Sequence, residues 1–255
     1  MKNLFLFLFL LVVFTSKAQD NRVSGLNSRQ FTKYWKVESE SPDYKVTFQG
    51  DTAEIVSPKG LTLWRKEKMS GKVTIEYDAC VVVESDGDRL SDLNCFWMAS
   101  DPQYPDNLWK REKWRSGIFL NCYSLQLYYL GYGGNHNSTT RFRRYDGDES
   151  GITNPKARPA ILKEYTDAGH LLKPNHWYHI KITNENNRVS YYIDGERLVD
   201  FRDAEPLREG WFGFRTTLSR TRITNFSYEC SSQEATAVPL QWIGETPRQD
   251  KAVSF

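Results

Sequence analysis

Charge of one sign is what this chain lacks most plainly. Lys+Arg number 34 against 32 Asp+Glu in 255 residues. That balance excludes a general nucleic-acid binder or an anionic-membrane binder, because either needs a broad basic field. An anionic ligand would need a local basic patch instead. Cysteine is also scarce. Cys80, Cys95, Cys122 and Cys230 include no C-x-x-C pair, and no histidine stands at zinc spacing from them. Three of the four sit in apolar strand-like runs, which leaves buried thiols and one or two disulfides both open. No Cys–His context for a nucleophilic thiol is readable. Internal repeats and long amphipathic helical periods are missing too.

Only one long apolar run exists, Leu4 to Phe14. It follows Lys2 and precedes Ser16-Lys17-Ala18, a small-x-small cleavage pattern, so residues 1–18 read as a signal peptide with Gln19 as the mature start. The run is about half the 20 or so residues that a bilayer span requires. An exported protein, periplasmic or secreted, is expected, with no membrane insertion. Removing the leader takes two lysines and no acid, leaving basic and acidic residues equal in number.

What the chain has in abundance is aromatic residues: 8 Trp, 14 Tyr and 14 Phe, 14% of the sequence. Such chains favour sheets, and aromatic platforms suit flat ligands such as sugar rings. Short strand-like runs separated by turn signals fill residues 44–229. They are expected at Tyr44–Gln49, Thr52–Val56, Leu61–Arg65, Lys72–Glu84, Asn94–Ala99, Gly117–Tyr123 and Gln126–Tyr132. Further runs are expected at Tyr178–Thr183, Val189–Ile193, Arg197–Phe201, Trp211–Thr217 and Arg222–Glu229. Val73, Ile75, Tyr77, Ala79 and Val81 alternate with Lys72, Thr74, Glu76 and Asp78, one face apolar and one polar. Asp194-Gly195 between two runs is a strong hairpin signal. The pattern predicts an all-β sandwich over residues 19–230. Two long loops interrupt it, Ser100–Ser116, anchored by Trp109 and Trp114, and residues 146–175. Loops of this length are often functional. Residues 231–255 read as a C-terminal tail.

The densest chemistry lies in Tyr132-Gly133-Gly134-Asn135-His136-Asn137 and in Thr140-Arg141-Phe142-Arg143-Arg144-Tyr145. In a strand, Arg141, Arg143 and Tyr145 share one face. Arginine grips carboxylate or sulfate with two prongs. Asn135, His136 and Asn137 offer donors, acceptors and a ring that titrates near neutrality. Against this stands a plain turn between two strands with solvated arginines. In Trp211-Phe212-Gly213-Phe214-Arg215, a core-facing Phe pair would put Arg215 on the opposite surface. Trp97 is either a stacking platform or a core residue. His170, His176 and His179 flank a loop-to-strand junction, with no carboxylate completing a metal set. A glycosidase would need two carboxyls, about 5 Å apart in a retaining enzyme. Glu76 with Asp78, and Glu84, Asp86 and Asp88, have suitable spacing, but no Glu-x-Asp-x-x-Glu of the laminarinase type occurs.

Asn94-Cys95-Phe96-Trp97-Met98-Ala99-Ser100-Asp101-Pro102, the Tyr-Gly-Gly-Asn-His-Asn run, Thr140–Tyr145 and Trp211–Arg215 occur in the order in which they resemble a known family. It is a family of secreted bacterial concanavalin A-like jelly-roll proteins that act on acidic plant or algal polysaccharides. The resemblance covers about residues 30–230. It implies a concanavalin A-like jelly-roll β-sandwich of two antiparallel sheets and the activity of an ulvan oligosaccharide dehydratase. That activity removes water from a non-reducing-end glucuronate or iduronate linked to sulfated rhamnose, leaving a 4,5-unsaturated uronate. The chemistry is β-elimination: a base takes the C5 proton and an acid protonates the oxygen leaving C4. The roles expected from that chemistry give His136 or Tyr132 as base, Tyr145 as acid and Arg141 with Arg143 on the anionic groups. Arg215 is a second anion site, Asn135 and Asn137 orient hydroxyls, and Trp97 stacks. An acidic oligosaccharide is the expected partner. No organic cofactor is implied, and a structural calcium ion is left open. A non-catalytic carbohydrate-binding domain and a jelly-roll glycoside hydrolase are the alternatives.

Overall fold

The computed structural model describes residues 23–231. The expected leader and all of the tail beyond Ser231 lie outside these residues.

Alternating apolar and polar side chains build antiparallel strands with one buried face. In chain order they are β1 (Val23–Ser24), β2 (Trp35–Ser39), β3 (Lys45–Gln49), β4 (Thr52–Arg65), β5 (Met69–Ser70), β6 (Lys72–Val81) and β7 (Leu93–Ser100). There follow β8 (Gln126–Gly133), β9 (Thr139–Asp146), β10 (Lys163–Tyr165), β11 (Tyr178–Glu185), β12 (Arg188–Ile193), β13 (Glu196–Arg202) and β14 (Glu209–Ser231). All pairings are antiparallel.

Two strands run through both layers of the sandwich. The first half of β14 pairs with β7 and with the second half of β4; its second half pairs with β6 and with the first half of β4. The register shifts between Thr217 and Ser219, where Leu218 has φ +51°. Pro58 faces this irregularity on β4, at a bend where a missing N–H costs no ladder bond. The sequence pattern breaks each of these long strands in two, and the bend is the reason. The front layer runs β10-β9-β8-β7-β14-β4-β2, and the back layer β13-β12-β11-β6-β14-β4-β3. The expected two-sheet jelly roll is the observed fold.

The core between the layers is aromatic. Trp97 and Tyr128 of the front layer meet Tyr191 and Tyr77 of the back, with Phe212 and Phe214 among them. Tyr77 and Phe214 pack edge to face at 4.8 Å. Asp194-Gly195 makes the expected hairpin turn with both residues at positive φ.

A second apolar cluster lies on the outer face of the front layer, under the segment 101–125. Residues 117–123, expected as a strand, are instead largely helical turns, Phe119–Ser124. Their apolar residues cap Tyr129 and Tyr145 rather than pairing with a neighbour strand. Trp109 anchors the loop against Trp211, at 6.1 Å. Trp114 does not anchor it: it is 43% exposed. The deeper anchor is polar. Arg115, fully buried, donates to both carboxylate oxygens of Glu38 on β2, at 3.3 and 2.9 Å, and to the Leu108 carbonyl at 2.7 Å. Arg111 grips the buried Asp101 with two bonds at 2.7 and 2.9 Å.

Removing one partner of a buried pair leaves the other charge desolvated and alone. Arg115→Met should therefore cost about 3–5 kcal/mol in denaturant unfolding. Breaking the solvent-facing Lys36–Glu112 pair by Lys36→Ala should cost under about 1 kcal/mol. Equal losses would deny the buried pair its anchoring role.

Candidate functional site

The layered register sets one line of side chains across the outer face of the front layer. Arg141 lies opposite Gly131, Gly131 opposite Asn94, Asn94 opposite Arg215, Arg215 opposite Thr62 and Thr62 opposite Glu38. The next line carries Arg143, Tyr129 and Phe96, then Gly213 and Trp64. Between these lines, the 101–125 segment and the turn after β8 lies a cavity of about 340 Å³. That volume falls in the range of small-ligand sites. Gly131 is required there, because a Cβ would strike the Tyr129 hydroxyl, which leans over it.

Four arginines and two carboxylate residues, Glu40 and Asp92, line it, so positive charge is in excess. Arg215 is 3% exposed; its Nη1 donates to the Gly117 carbonyl at 2.6 Å and to Thr62 Oγ1 at 3.3 Å. Arg143 donates to the Pro159 carbonyl. Neither closes an ion pair with a carboxylate among the described residues. Arg141 pairs with Glu164 at 2.5 Å, and Arg89 pairs with Asp92 at 3.1 Å. Asp92 is further held by Ser91 Oγ at 2.8 Å and Asn94 Nδ2 at 3.2 Å. Asn94 Oδ1 is buried with no hydrogen-bond partner. Tyr129 packs against Phe119 and Phe96 at 5.6 and 5.5 Å, and its hydroxyl makes no hydrogen bond with any described residue. Burial pushes the Tyr129 phenol well above its usual range, against the opposing pull of Arg215 and Arg143. The pocket thus holds two guanidiniums that close no ion pair among the described residues, one free phenol and one unsatisfied amide oxygen.

The expected site residues divide. Arg141, Arg143, Arg215 and Asn135 line this pocket. Tyr145 shares the face of Arg143, as expected, but it is fully buried between Tyr123 and Tyr129, at 5.2 and 5.8 Å. Its hydroxyl has no partner and no outlet, so it cannot serve as the acid. Tyr132 turns inward, packs on Tyr178 at 5.1 Å and bonds the Leu171 carbonyl, so it is not a base at this pocket. Trp97 is a core residue, 0% exposed, with no face open to a ligand. Asn137 clamps the Leu172 backbone from both sides, at 2.9 and 2.8 Å, which is a structural duty. His136 is exposed in a left-handed turn, with φ +59°, outside the pocket lining.

The carboxylate pairs of the glycosidase alternative do not gather either. Glu76 pairs with Lys181, and Asp78 with His179, on the back layer. Glu84 is bound by Arg220 and Arg222, and Asp88 caps its own turn. All four cysteines are free thiols; burial raises Cys122 to about 11 and Cys95 to about 12. Among the described residues no group of three or more His, Cys, Asp or Glu is assembled that could hold a metal ion.

Tyr129, Asn94, Asp92 and Arg89 were not among the expected residues. Asn94 had a signal: it is a polar residue inside the apolar strand β7, opposite the strand of Arg215. Tyr129 had none, since Tyr128 and Tyr129 are adjacent and only the sandwich decides which faces out.

Two outcomes check these environments. Mass analysis without reductant should find four unpaired thiols, and reduction should leave the unfolding temperature unchanged. Burial works against a charge on His170, but the hydrogen bonds it donates to Asp167 and Glu196 outweigh it and raise its pKa. A raised folded-state pKa contributes stability that is complete below about pH 6.5 and is lost as pH rises through the folded value. The difference in stability between the protein and its His170→Gln variant should therefore shrink from pH 6 to pH 8. A constant difference would refute that charge.

Nothing among the curated proteins matches the chain. Among solved structures, it is similar to a galectin-like-fold protein of unknown function from Bacillus subtilis. That likeness has TM-score 0.62 and 15% identity, covering 79% of this chain and 91% of the other. It is similar also to the carbohydrate binding module CBM66 from Bacillus subtilis, with TM-score 0.51 and 17% identity, covering 76% and 94%. A native glycosidic hydrolase matches with TM-score 0.51 and 9% identity, covering 84% and 97%. At such identities the likeness establishes the sandwich fold alone. Residues 55–226, more than half of the chain, match the family model described as "Domain of unknown function (DUF6250)", and the chain belongs to that family.

Proposed function

We propose that the front-layer pocket binds an acidic saccharide and catalyses β-elimination from its uronate. The observation that carries this reading is the pair of guanidiniums that close no ion pair among the described residues, Arg143 and Arg215, flanking the free Tyr129 hydroxyl in a lining of four arginines against the carboxylates of Glu40 and Asp92. An anionic sugar supplies the missing countercharge. The likeness in fold to a carbohydrate binding module and a glycosidic hydrolase supports a carbohydrate-related role. Oligosaccharides of uronate and sulfated rhamnose, the substrate class implied by the motif resemblance, are the substrates to try first.

The uronate carboxylate sits against Arg215, which withdraws charge from C5 and stabilises the enolate-like intermediate. Asn94 Oδ1 accepts a sugar hydroxyl. Tyr129 replaces Tyr145 and His136 as the proton-transfer group. As a phenolate it takes the C5 proton; the C–H electrons form the C4=C5 double bond as the C4–O bond breaks. The resulting phenol returns that proton to the departing oxygen. If the oxygen belongs to a hydroxyl, water leaves and the enzyme is a dehydratase; if it belongs to a sugar, the chain is cut and it is a lyase. A signal-led export would put the protein in the periplasm or outside the cell, with such polymers.

One observation favours a second reading. Burial keeps Tyr129 neutral at ordinary pH, and a neutral phenol in a cationic pocket also suits a binding domain without turnover.

Ultraviolet absorbance of the conjugated double bond, followed with mass spectrometry, separates the readings. Turnover should rise about tenfold per pH unit from pH 7 to 9 as phenolate forms. Tyr129→Phe should abolish it while binding persists. Arg215→Gln should lower kcat/KM by about a hundredfold or more, the size of a lost transition-state contact. His136→Ala should change little. Binding without any rise in absorbance would leave the binding domain; reducing sugar without a double bond would mean a glycoside hydrolase.

A further inference from the structure

We infer that the outer face of the back layer carries a second saccharide-binding groove, for the anionic groups and hydroxyls of an acidic polysaccharide chain. The groove lies on the opposite layer from the front pocket and has a volume of about 480 Å³. It stands independently of the elimination chemistry.

Its floor is a line of hydroxyls. Thr74 on β6 lies opposite Thr183 on β11, and Thr183 opposite Ser190 on β12. Neighbouring strands stand about 4.8 Å apart, so the three hydroxyls form an evenly spaced row. None makes a side-chain hydrogen bond with a described residue, although Ser190 is 4% exposed. Hydroxyls left in this state at the base of a groove are available to sugar hydroxyls.

Its walls are guanidiniums in excess. Arg188 closes two bonds of 2.6 Å on Asp200, and Arg197 reaches the same carboxylate at 3.2 Å. Arg202, opposite Arg188, closes no ion pair among the described residues. Three exposed arginines therefore share one carboxylate, whose pKa they hold below its usual range, with Arg188 as the largest cause. Lys72 at the same groove is matched by Glu185 at 2.8 Å. Two positive charges remain over. Tyr192, half-buried and opposite Arg197, provides a ring edge beside them. A duplex nucleic acid would seek a wide basic field, which this nearly neutral chain does not have. Local charge over a hydroxyl floor matches sulfate or carboxylate groups on a sugar chain.

Native affinity electrophoresis of the full protein tests this, with dextran sulfate and polygalacturonate in the gel, and neutral dextran and duplex DNA as controls. The protein should be retarded by the two acidic polysaccharides and not by dextran. Arg197→Gln with Arg202→Gln should weaken this by about tenfold. Thr183→Val with Ser190→Ala should weaken it by about threefold, the size of lost neutral hydrogen bonds. All measurements are repeated in an Arg143→Ala background, which removes one of the two guanidiniums of the front pocket that close no ion pair among the described residues. Retardation that persists there and is lost with the back-layer arginines supports the groove whatever becomes of the elimination reading. Retardation unchanged by the Arg197/Arg202 variant, or DNA retarded as strongly as the polysaccharides, overturns it. Unfolding curves matching the parent protein confirm that these surface variants fold.

Discussion

The buried ion pair between Glu38 and Arg115 holds the functional face of this sandwich together. Glu38 is on β2, at the edge of the front layer, and Arg115 ends the short helix Glu112–Arg115 within the segment that crosses over that layer. Desolvating two charges is costly, and only good geometry with further bonds offsets it. Arg115 bonds both Glu38 oxygens and the Leu108 carbonyl, and Gly117 donates its backbone N–H to Glu38. Burial still raises the Glu38 pKa above its usual value, against the pull of Arg115. The pair therefore acts as a locating pin more than as a reserve of stability.

From this pin the pocket follows. The same Gly117 that touches Glu38 through its N–H accepts Arg215 through its carbonyl. Gly117 has φ +69°, and a Cβ there would strike the backbone of Glu40 and Gly60. The crossing segment is thus seated against β2 and β4 backbone to backbone. Once seated, it brings Phe119 over the Arg215 guanidinium, at 5.6 Å, and against Tyr129. One docking event supplies the pocket wall, orients its deepest cation and buries its phenol.

Electrostatics then divides the two faces of the molecule. On the front, arginines that close no ion pair among the described residues are set in a cavity, where a charge-assisted bond is strong because water is scarce. On the back, arginines stand in solvent over a hydroxyl floor, where each contact is weaker and more salt-sensitive. A nearly neutral chain can carry both because its acids are spent elsewhere. Glu54 and Glu84 are taken by Arg220 and Arg222, and Asp203 by Arg144.

Local alternation was enough to read the sandwich, because a strand with one buried face writes a period of two into its residues. It also put Arg141, Arg143 and Tyr145 on one face and separated Arg215 from Phe212 and Phe214. The hairpin at Asp194-Gly195 was legible for the same local reason, a backbone that needs positive φ twice. Burial of individual members of a face was not legible. Tyr145 and Arg143 share a side of β9, yet the helical turns at Phe119–Ser124 cover only the tyrosine. Those turns carry the same apolar residues that a strand would, so their period misleads. Tyr129 rather than Tyr128 became the free phenol because the sandwich, not the sequence, decides which of two adjacent tyrosines faces out. Asn94 met Arg215 only through a pairing of residues 121 positions apart. Sequence alone determined most of the strands and their faces, which depend on neighbours along the chain. The tertiary structure decided the pocket, which depends on register between distant strands and on where one covering segment is pinned.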